Sequence, residues 1–402
     1  MTTEMTAVPV AARVSRLAPN RLFGLLAEAY AGEAIDVGLG LPGVPPTPPT
    51  LVDAACATLR AGRHHQYEVT DGNLELRRQI AAALPVPTDP ATELTITSGA
   101  TEATSVAVLA TVDPGDEVVI FEPFYENFLN AVVLAGGVPR LVRRHPPDWR
   151  YDPADLRAAF GPRTRAIVVS TPNNPTGHML SADELTEIAE LCERWNAVAI
   201  SDEIYAGYVL DGQRHISAAE LPALRERSLV AGSLSKSHAV SGWRLGYLRA
   251  SPALSAAARQ VHTTVGGIPP SPLQEAAARA AAADPDFLRP RVDLRAQRDA
   301  AVRIFSAVGL RCFPADGGCY VMADIRSCTD ADSESLAHRF VQEAGVMVAP
   351  GGIFYADPDG PGAELIRIAF NRPLGVLDEV ERRLARFRPG AQPHPAGAEA
   401  AQ

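Results

Sequence analysis

Lys236 is the only lysine in a chain of 402 residues; of the 37 Lys and Arg positions, the other 36 are arginine. Arginine matches lysine in charge, solubility and most ion pairs, but its guanidinium does not lose a proton near neutral pH. It cannot supply the free amine that attacks a carbonyl, so a lone lysine is a candidate nucleophile toward an aldehyde-bearing cofactor. An arginine-biased composition thins out lysine by itself, and the argument therefore rests on the neighbours. Ser233-Leu234-Ser235-Lys236 follows the apolar run Ser228-Leu229-Val230-Ala231-Gly232 and precedes Gly242-Trp243-Arg244-Leu245-Gly246. Ser233 and Arg244 bracket the lysine with a hydroxyl and a fixed cation suited to a phosphate, which arginine binds bidentately. Positive charge there also favours the neutral amine at Lys236.

A strand, then S-x-S-K, then G-W-R-x-G resembles the cofactor-lysine signature of class I/II aminotransferases, fold-type I enzymes that use pyridoxal phosphate (PLP). Further segments match the family in its own order, so the resemblance covers nearly the whole chain apart from its tails. In Thr97-Ser98-Gly99-Ala100-Thr101-Glu102-Ala103 a glycine turn opens a helix, where backbone amides and the dipole favour an anion. The resemblance makes the amides of Gly99, Ala100 and Thr101 a phosphate cradle. In Glu122-Pro123-Phe124-Tyr125, it places Tyr125 over the pyridine ring. In Thr171-Pro172-Asn173-Asn174-Pro175-Thr176-Gly177, Asn174 donates its amide to the cofactor's phenolic oxygen. In Ser201-Asp202-Glu203-Ile204-Tyr205, Asp202 pairs with the protonated pyridine nitrogen, which makes the ring an electron sink, and Tyr205 reaches the phenolic oxygen. Arg367, alone in the apolar strand Glu364-Leu365-Ile366-Arg367-Ile368-Ala369-Phe370, grips the substrate α-carboxylate. Gly40 lines the substrate side, and Tyr67 reaches the phosphate of a neighbouring subunit, which implies a homodimer with shared active sites. Taken singly, these segments have plainer uses: a strand-to-helix turn, a core tyrosine, a helix-capping aspartate, an edge-strand arginine facing outward.

The elements that must hold these residues alternate. Strand candidates fall at 94–97, 117–121, 166–170, 197–201, 229–232 and 245–248, with helices between them, notably 102–111 and 182–194. Alternation of this kind implies a mostly parallel central sheet in an α/β/α sandwich. An apolar pattern over 13–30 (Val14, Leu17, Leu22, Leu25, Leu26) predicts a short helix after Pro19, and residues 38–50 are a Gly/Pro loop. From about 290 a long helix to about 308, strands near 320–323 and 365–370 and helices near 333–344 and 374–387 form a smaller α+β unit. The expected division is a segment 1–50 joining the small domain, a large PLP-binding domain 51–290, a small domain 291–388, and a disordered tail 389–402 rich in Ala, Pro and Gly.

A formal net charge of −10 argues against a nucleic-acid or anionic-membrane partner. The five cysteines show neither a C-x-x-C pair nor a zinc spacing, so free thiols in a reducing cytosol and no metal are expected. Thr2, Thr3 and Glu4 give no signal-peptide start, and no apolar run approaches the roughly 20 residues of a membrane helix. The resemblance thus implies a cytoplasmic PLP-dependent aminotransferase moving an α-amino group between amino acids and 2-oxo acids through Lys236. The alternative keeps the site but diverts the carbanion to β- or γ-elimination, replacement, oxidation or cyclisation. A PLP-sensing regulator would need a DNA-binding domain, for which fewer than 40 residues before the Gly/Pro loop leave little room. No second arginine is assigned to a distal carboxylate, and Leu39, Leu41 and Tyr125 hint at an apolar or aromatic substrate side chain.

Overall fold

The computed structural model describes residues 10–17 and 21–390. Among these the strands are β1 (Ile35–Asp36), β2 (Leu94–Thr97), β3 (Glu117–Glu122), β4 (Val138–His145), β5 (Arg150–Tyr151), β6 (Thr164–Ser170) and β7 (Val198–Asp202), followed by β8 (Ser228–Ser233), β9 (Gly246–Ala250), β10 (Arg311–Phe313), β11 (Tyr320–Asp324), β12 (Val346–Met347), β13 (Ala349–Pro350) and β14 (Leu365–Ala369). An eight-stranded sheet has the order β2-β9-β8-β7-β6-β3-β4-β5. Its middle, from β8 to β4, is parallel. The inner strands β3, β6, β7 and β8 are apolar runs because both faces are covered, whereas β4 carries Arg140, Arg143 and Arg144 and is mostly exposed. Val119, Phe121, Ile167, Val169 and Ala199 pack into one core, and Val118, Ile120, Val168, Ile200 and Leu229 into another, as alternation across a strand requires.

The sheet is mostly parallel as expected, and β9 is one of the strands that depart from that direction. Helix–strand alternation predicts parallel pairing for the strand after Lys236, whereas β9 runs antiparallel to both β8 and β2. A parallel return needs a crossover element that recrosses the sheet. Residues 234–245 hold only the single turn Leu234–Ser237 and the short turn Ser241–Trp243, so the chain folds straight back.

A second sheet, β10-β11-β14-β13, is antiparallel throughout. The helices Arg295–Ala307, Ser333–Ala344 and Leu374–Leu384 complete the smaller α+β part. The first of these starts later than the 290 expected, because Asp293 turns its carboxylate to the Arg295 N–H and the backbone of Val292 bonds to Gly207. The N-terminal helix Arg21–Ala31 forms as anticipated, and β1 pairs with β12. Leu25, Ala29 and Val37 share a core with Phe305 and Phe340, so this segment packs with the small part. Of the stretch 389–402, Pro389 accepts a hydrogen bond from Arg339 and Gly390 is placed; the remainder lies outside the described residues.

Candidate active site

Gly99, Tyr125, Asn174, Asp202 and Lys236 all lie at or just beyond the C-terminal ends of β2, β3, β6, β7 and β8, where ligands bind in open α/β sheets. The reversal of β9 completes the set. Gly246 pairs with Thr97 on one side and Ser233 on the other, which brings Arg244 to the same edge. A cavity of about 480 Å³ is lined by Gly40, Ala100, Thr101, Tyr125 and Asn174, and by Asp202, Tyr205, Ser233, Lys236, Arg244 and Arg367.

One end is built for an anion. The helix Ala100–Thr111 begins after Gly99, which has φ +79° and contributes no side-chain cap. Its first-turn N–H groups therefore face outward with the positive end of the dipole. A Cβ on Gly99 would sit 2.4 Å from Arg244 Nη2, and a Cβ on Gly246 2.5 Å from the Gly99 carbonyl carbon, so both glycines permit the close approach. Arg244 donates to the carbonyls of Ser241 and Ser98, each at 2.9 Å, and stays exposed. Ser233 Oγ accepts from the Ser235 N–H at 3.0 Å and lies 2.9 Å from the Leu245 carbonyl it donates to.

At the centre, Lys236 Nζ donates to the Gly40 carbonyl at 3.0 Å. Its pKa is lowered chiefly by burial, while the charges of Arg367, Arg244 and Arg372 add to the effect. Burial, more than the neighbouring arginine anticipated from the motif, favours the free amine. Asp202 is buried and no helix follows it, so it is not a helix cap. Its carboxyl accepts the Ile204 N–H at 3.3 Å, and burial pushes its pKa up to about 7, with the Glu203 charge raising and Lys236 lowering it. A buried carboxyl with so little compensation suits a cationic partner. Tyr125 is partly buried, its hydroxyl accepting from Asn127 at 2.6 Å.

The far wall holds Arg367, 4% exposed on a strand buried along its whole length between β11 and β13, not facing outward at an edge. It donates to Asn174 Oδ1 at 2.7 Å and to the Gly38 carbonyl at 2.5 Å, and its Nε has no partner. The guanidinium lies between the rings of Tyr320 and Phe354, 4.1 and 4.5 Å from their centroids. None of its hydrogen bonds goes to a carboxylate, so it can take up an incoming one.

Several residues here carry no sequence signal. Arg372 ties down the Gly/Pro loop by donating to the carbonyls of Asp36, Leu39 and Leu41. Tyr320 and Phe354 come from the small part. Glu126, beside Tyr125, lines the cavity with a carboxyl whose pKa burial raises. Ser235 was visible within S-x-S-K and lines the cavity too. Tyr67 is not among the lining residues: it is 95% exposed, in a surface depression with His64, His65 and Pro269.

The family model for aminotransferase class I and II matches residues 40–384. A probable N-succinyldiaminopimelate aminotransferase of Mycobacterium tuberculosis is 35% identical over 370 residues, covering 88% of this chain and 92% of the relative. Kynurenine–oxoglutarate transaminase 1 of Rattus norvegicus is 30% identical, over 91% and 94% of the two chains. The solved structure of N-succinyldiaminopimelate aminotransferase from Mycobacterium tuberculosis superposes with a TM-score of 0.87 at 33% identity, covering 94% of this chain and 99% of that one. All these names are those of aminotransferases, which does not favour an elimination or replacement outcome. With its fold and a family match spanning residues 40–384, this protein is a PLP-dependent enzyme of the class I and II aminotransferases.

Proposed function

We propose that Lys236 carries the PLP of this aminotransferase and that Arg367 receives the substrate's α-carboxylate. The observation that carries the reading is the meeting, in one cavity, of a buried amine with a lowered pKa, a buried carboxyl and a guanidinium free of any carboxylate. The residues fit the cofactor. The open helix start at Gly99, Ala100 and Thr101, with Ser233 and Arg244, would hold its phosphate. Asp202 would face its ring nitrogen, and Tyr125 would cover the ring. Tyr205 and Asn174 would face its phenolic oxygen; Asn174's amide oxygen is taken by Arg367, which leaves its N–H groups for that role. When bound, PLP supplies an aldehyde for a primary amine and a ring that accepts the electron pair left by the α-proton. Lys236 Nζ, once free, would take that proton from the substrate Cα. Arg367, held by Asn174 and Gly38 and stacked by two rings, fixes which substrate bond faces Nζ.

The substrate side chain would meet an apolar wall. Leu22, Leu26, Leu39, Leu41, Ile353 and Phe354 line the cavity beside Glu126. Among the described lining residues the arginines are Arg244, at the phosphate end, and Arg367. An amino donor with an apolar or aromatic side chain fits better than a dicarboxylate, which would place a second charge near Glu126.

The reading extends to a cytoplasmic homodimer in which Tyr67 reaches the partner's cofactor phosphate. Exposure of Tyr67 supports this, as does the absence, among the described residues, of a helix long and apolar enough to cross a membrane. The division into 1–50, 51–290 and 291–388 is supported by the shared core of the N-terminal helix and the small part.

The test mixes PLP-loaded protein with each proteinogenic amino acid and follows its visible absorbance. The cofactor band should bleach with apolar or aromatic amino acids and return on adding a 2-oxo acid. Bleaching by aspartate or glutamate in preference to these would refute the substrate assignment, and release of ammonia in place of a returning band would refute transamination.

A further inference from the structure

Tyr320 touches three of the groups to which the reading above gives separate tasks. Its ring forms one face of the slot that holds Arg367, 4.1 Å from the guanidinium carbon. Its hydroxyl lies 3.0 Å from the Tyr205 hydroxyl, the two rings meeting edge to face at 5.8 Å between centroids. The same hydroxyl lies over Gly40, where an added Cβ would come within 1.8 Å of Oη. Gly40 is in turn the residue whose carbonyl accepts from Lys236 Nζ. The register explains the reach: Met322 stands opposite Arg367 and Tyr320 opposite Ala369, so Tyr320 is the diagonal neighbour of Arg367 on one sheet face. Tyr320 belongs to the small part and Tyr205 follows β7 of the large sheet, so this hydroxyl pair crosses between them.

We propose that Tyr320 is a positioning residue that orients the Tyr205 hydroxyl toward the cofactor while holding Arg367 for the substrate carboxylate; the proposal rests on the site assignment above. Two phenol hydroxyls at 3.0 Å share one proton along their line, because each can donate or accept. When Tyr320 donates, Tyr205's own proton is free to point at the phenolic oxygen, and a donor that is itself accepting a hydrogen bond donates more strongly. Tyr205 has little freedom to do this otherwise. It is 1% exposed, with Tyr208 packed edge-on at 5.6 Å and the Tyr208 hydroxyl spent on the Lys236 carbonyl at 2.7 Å. The titratable groups facing this pair are Cys319, Tyr208, Arg367 and Tyr125; Cys319 has a side-chain hydrogen bond with Tyr205, and none of the four is joined to the Tyr320 hydroxyl by one.

The two tasks separate by substitution. Tyr320→Phe keeps the ring under Arg367 and removes only the hydroxyl. A hydrogen bond to the charged form of an acidic oxygen favours that form. Weakening the Tyr205 donation should therefore raise the pH midpoint at which the visible band of the PLP-loaded protein changes, by about half a unit or more. KM for the amino acid should stay within about twofold of wild type. Tyr320→Leu should raise the midpoint and also raise KM roughly tenfold, as the cation–π face is lost. Because Tyr320 acts through Tyr205, the double variant Tyr205→Phe/Tyr320→Phe should have the midpoint of Tyr205→Phe alone. A wild-type midpoint in Tyr320→Phe, or shifts that simply add in the double variant, would overturn the proposal while the site assignment stands. A wild-type protein that shows no cofactor band with PLP would overturn the site assignment and the proposal with it.

Discussion

Asp202 shows what a single buried group implies for the whole enzyme. In the cofactor-free protein burial raises its pKa from the ordinary 3.8 to about 7. Between those values the folded protein binds a proton that the unfolded chain has lost, so stability falls as pH rises from about 4 through about 7 and then levels. At about 1.4 kcal/mol per unit the loss amounts to at most roughly 4 kcal/mol. Urea denaturation of the cofactor-free protein at pH 5 and pH 7.5 should show this decline, and Asp202→Asn should flatten it while weakening PLP binding. Arg367→Ala should instead keep the cofactor band and raise KM. A hydrogen bond to a charged group contributes about 1.5–3 kcal/mol, which corresponds to a rise on the order of 10- to 100-fold in steady-state kinetics. Lys236, Asp202 and Asn174 were legible as candidates because each sits in a short motif at or just beyond a strand end, and Arg367 because it is the one charge inside an apolar strand. Tyr320 and Arg372 were not, because their partners lie in distant segments (Tyr205 and the loop 38–41) and nothing adjacent in sequence marks the contact.

At the scale of elements, the start of the helix Ala100–Thr111 and the start of β9 work as one device. Gly99 holds φ +79° with no room for a Cβ beside Arg244. Gly99→Ala should cost about 1–3 kcal/mol in backbone strain, because φ +79° with ψ 173° is a region essentially only glycine adopts, and displacement of Arg244 should weaken PLP binding about tenfold or more, read by equilibrium dialysis. The glycine turn could be read from sequence, since a strand running into a helix through Ser-Gly-Ala-Thr has few other conformations. The antiparallel course of β9 could not. Its direction depends on residues 234–245 forming only short turns, and an apolar five-residue strand looks the same in either orientation. That reversal, rather than the spacing of the motif, sets Arg244 next to Gly99.

The whole molecule places the proposed cofactor cradle on the eight-stranded sheet and Arg367, proposed to hold the substrate carboxylate, on the four-stranded one, so the proposed site lies where the two parts meet. That the N-terminal segment joins the small domain was an expectation from the sequence; which residues form the shared core, Leu25, Ala29 and Val37 with Phe305 and Phe340, is set by tertiary packing. Tyr67 bears on assembly. An exposed tyrosine assigned to a partner's phosphate predicts a native mass twice the 42.6 kDa of one chain by sedimentation. Tyr67→Ala should leave that mass unchanged while PLP dissociates about tenfold faster, as expected for loss of one hydrogen bond to a charged group. A monomeric wild-type protein would contradict the shared site.

The central claim is that Lys236 is the amine that carries PLP, and a chain with one lysine makes it directly measurable. The PLP-loaded protein is reduced with borohydride, digested, and its peptides are weighed. The account predicts one reduced cofactor adduct, on the peptide containing Lys236, and none in Lys236→Ala. An adduct at the chain's N-terminal amine with Lys236 unmodified, or a Lys236→Ala protein that still carries the adduct and turns over, would contradict it.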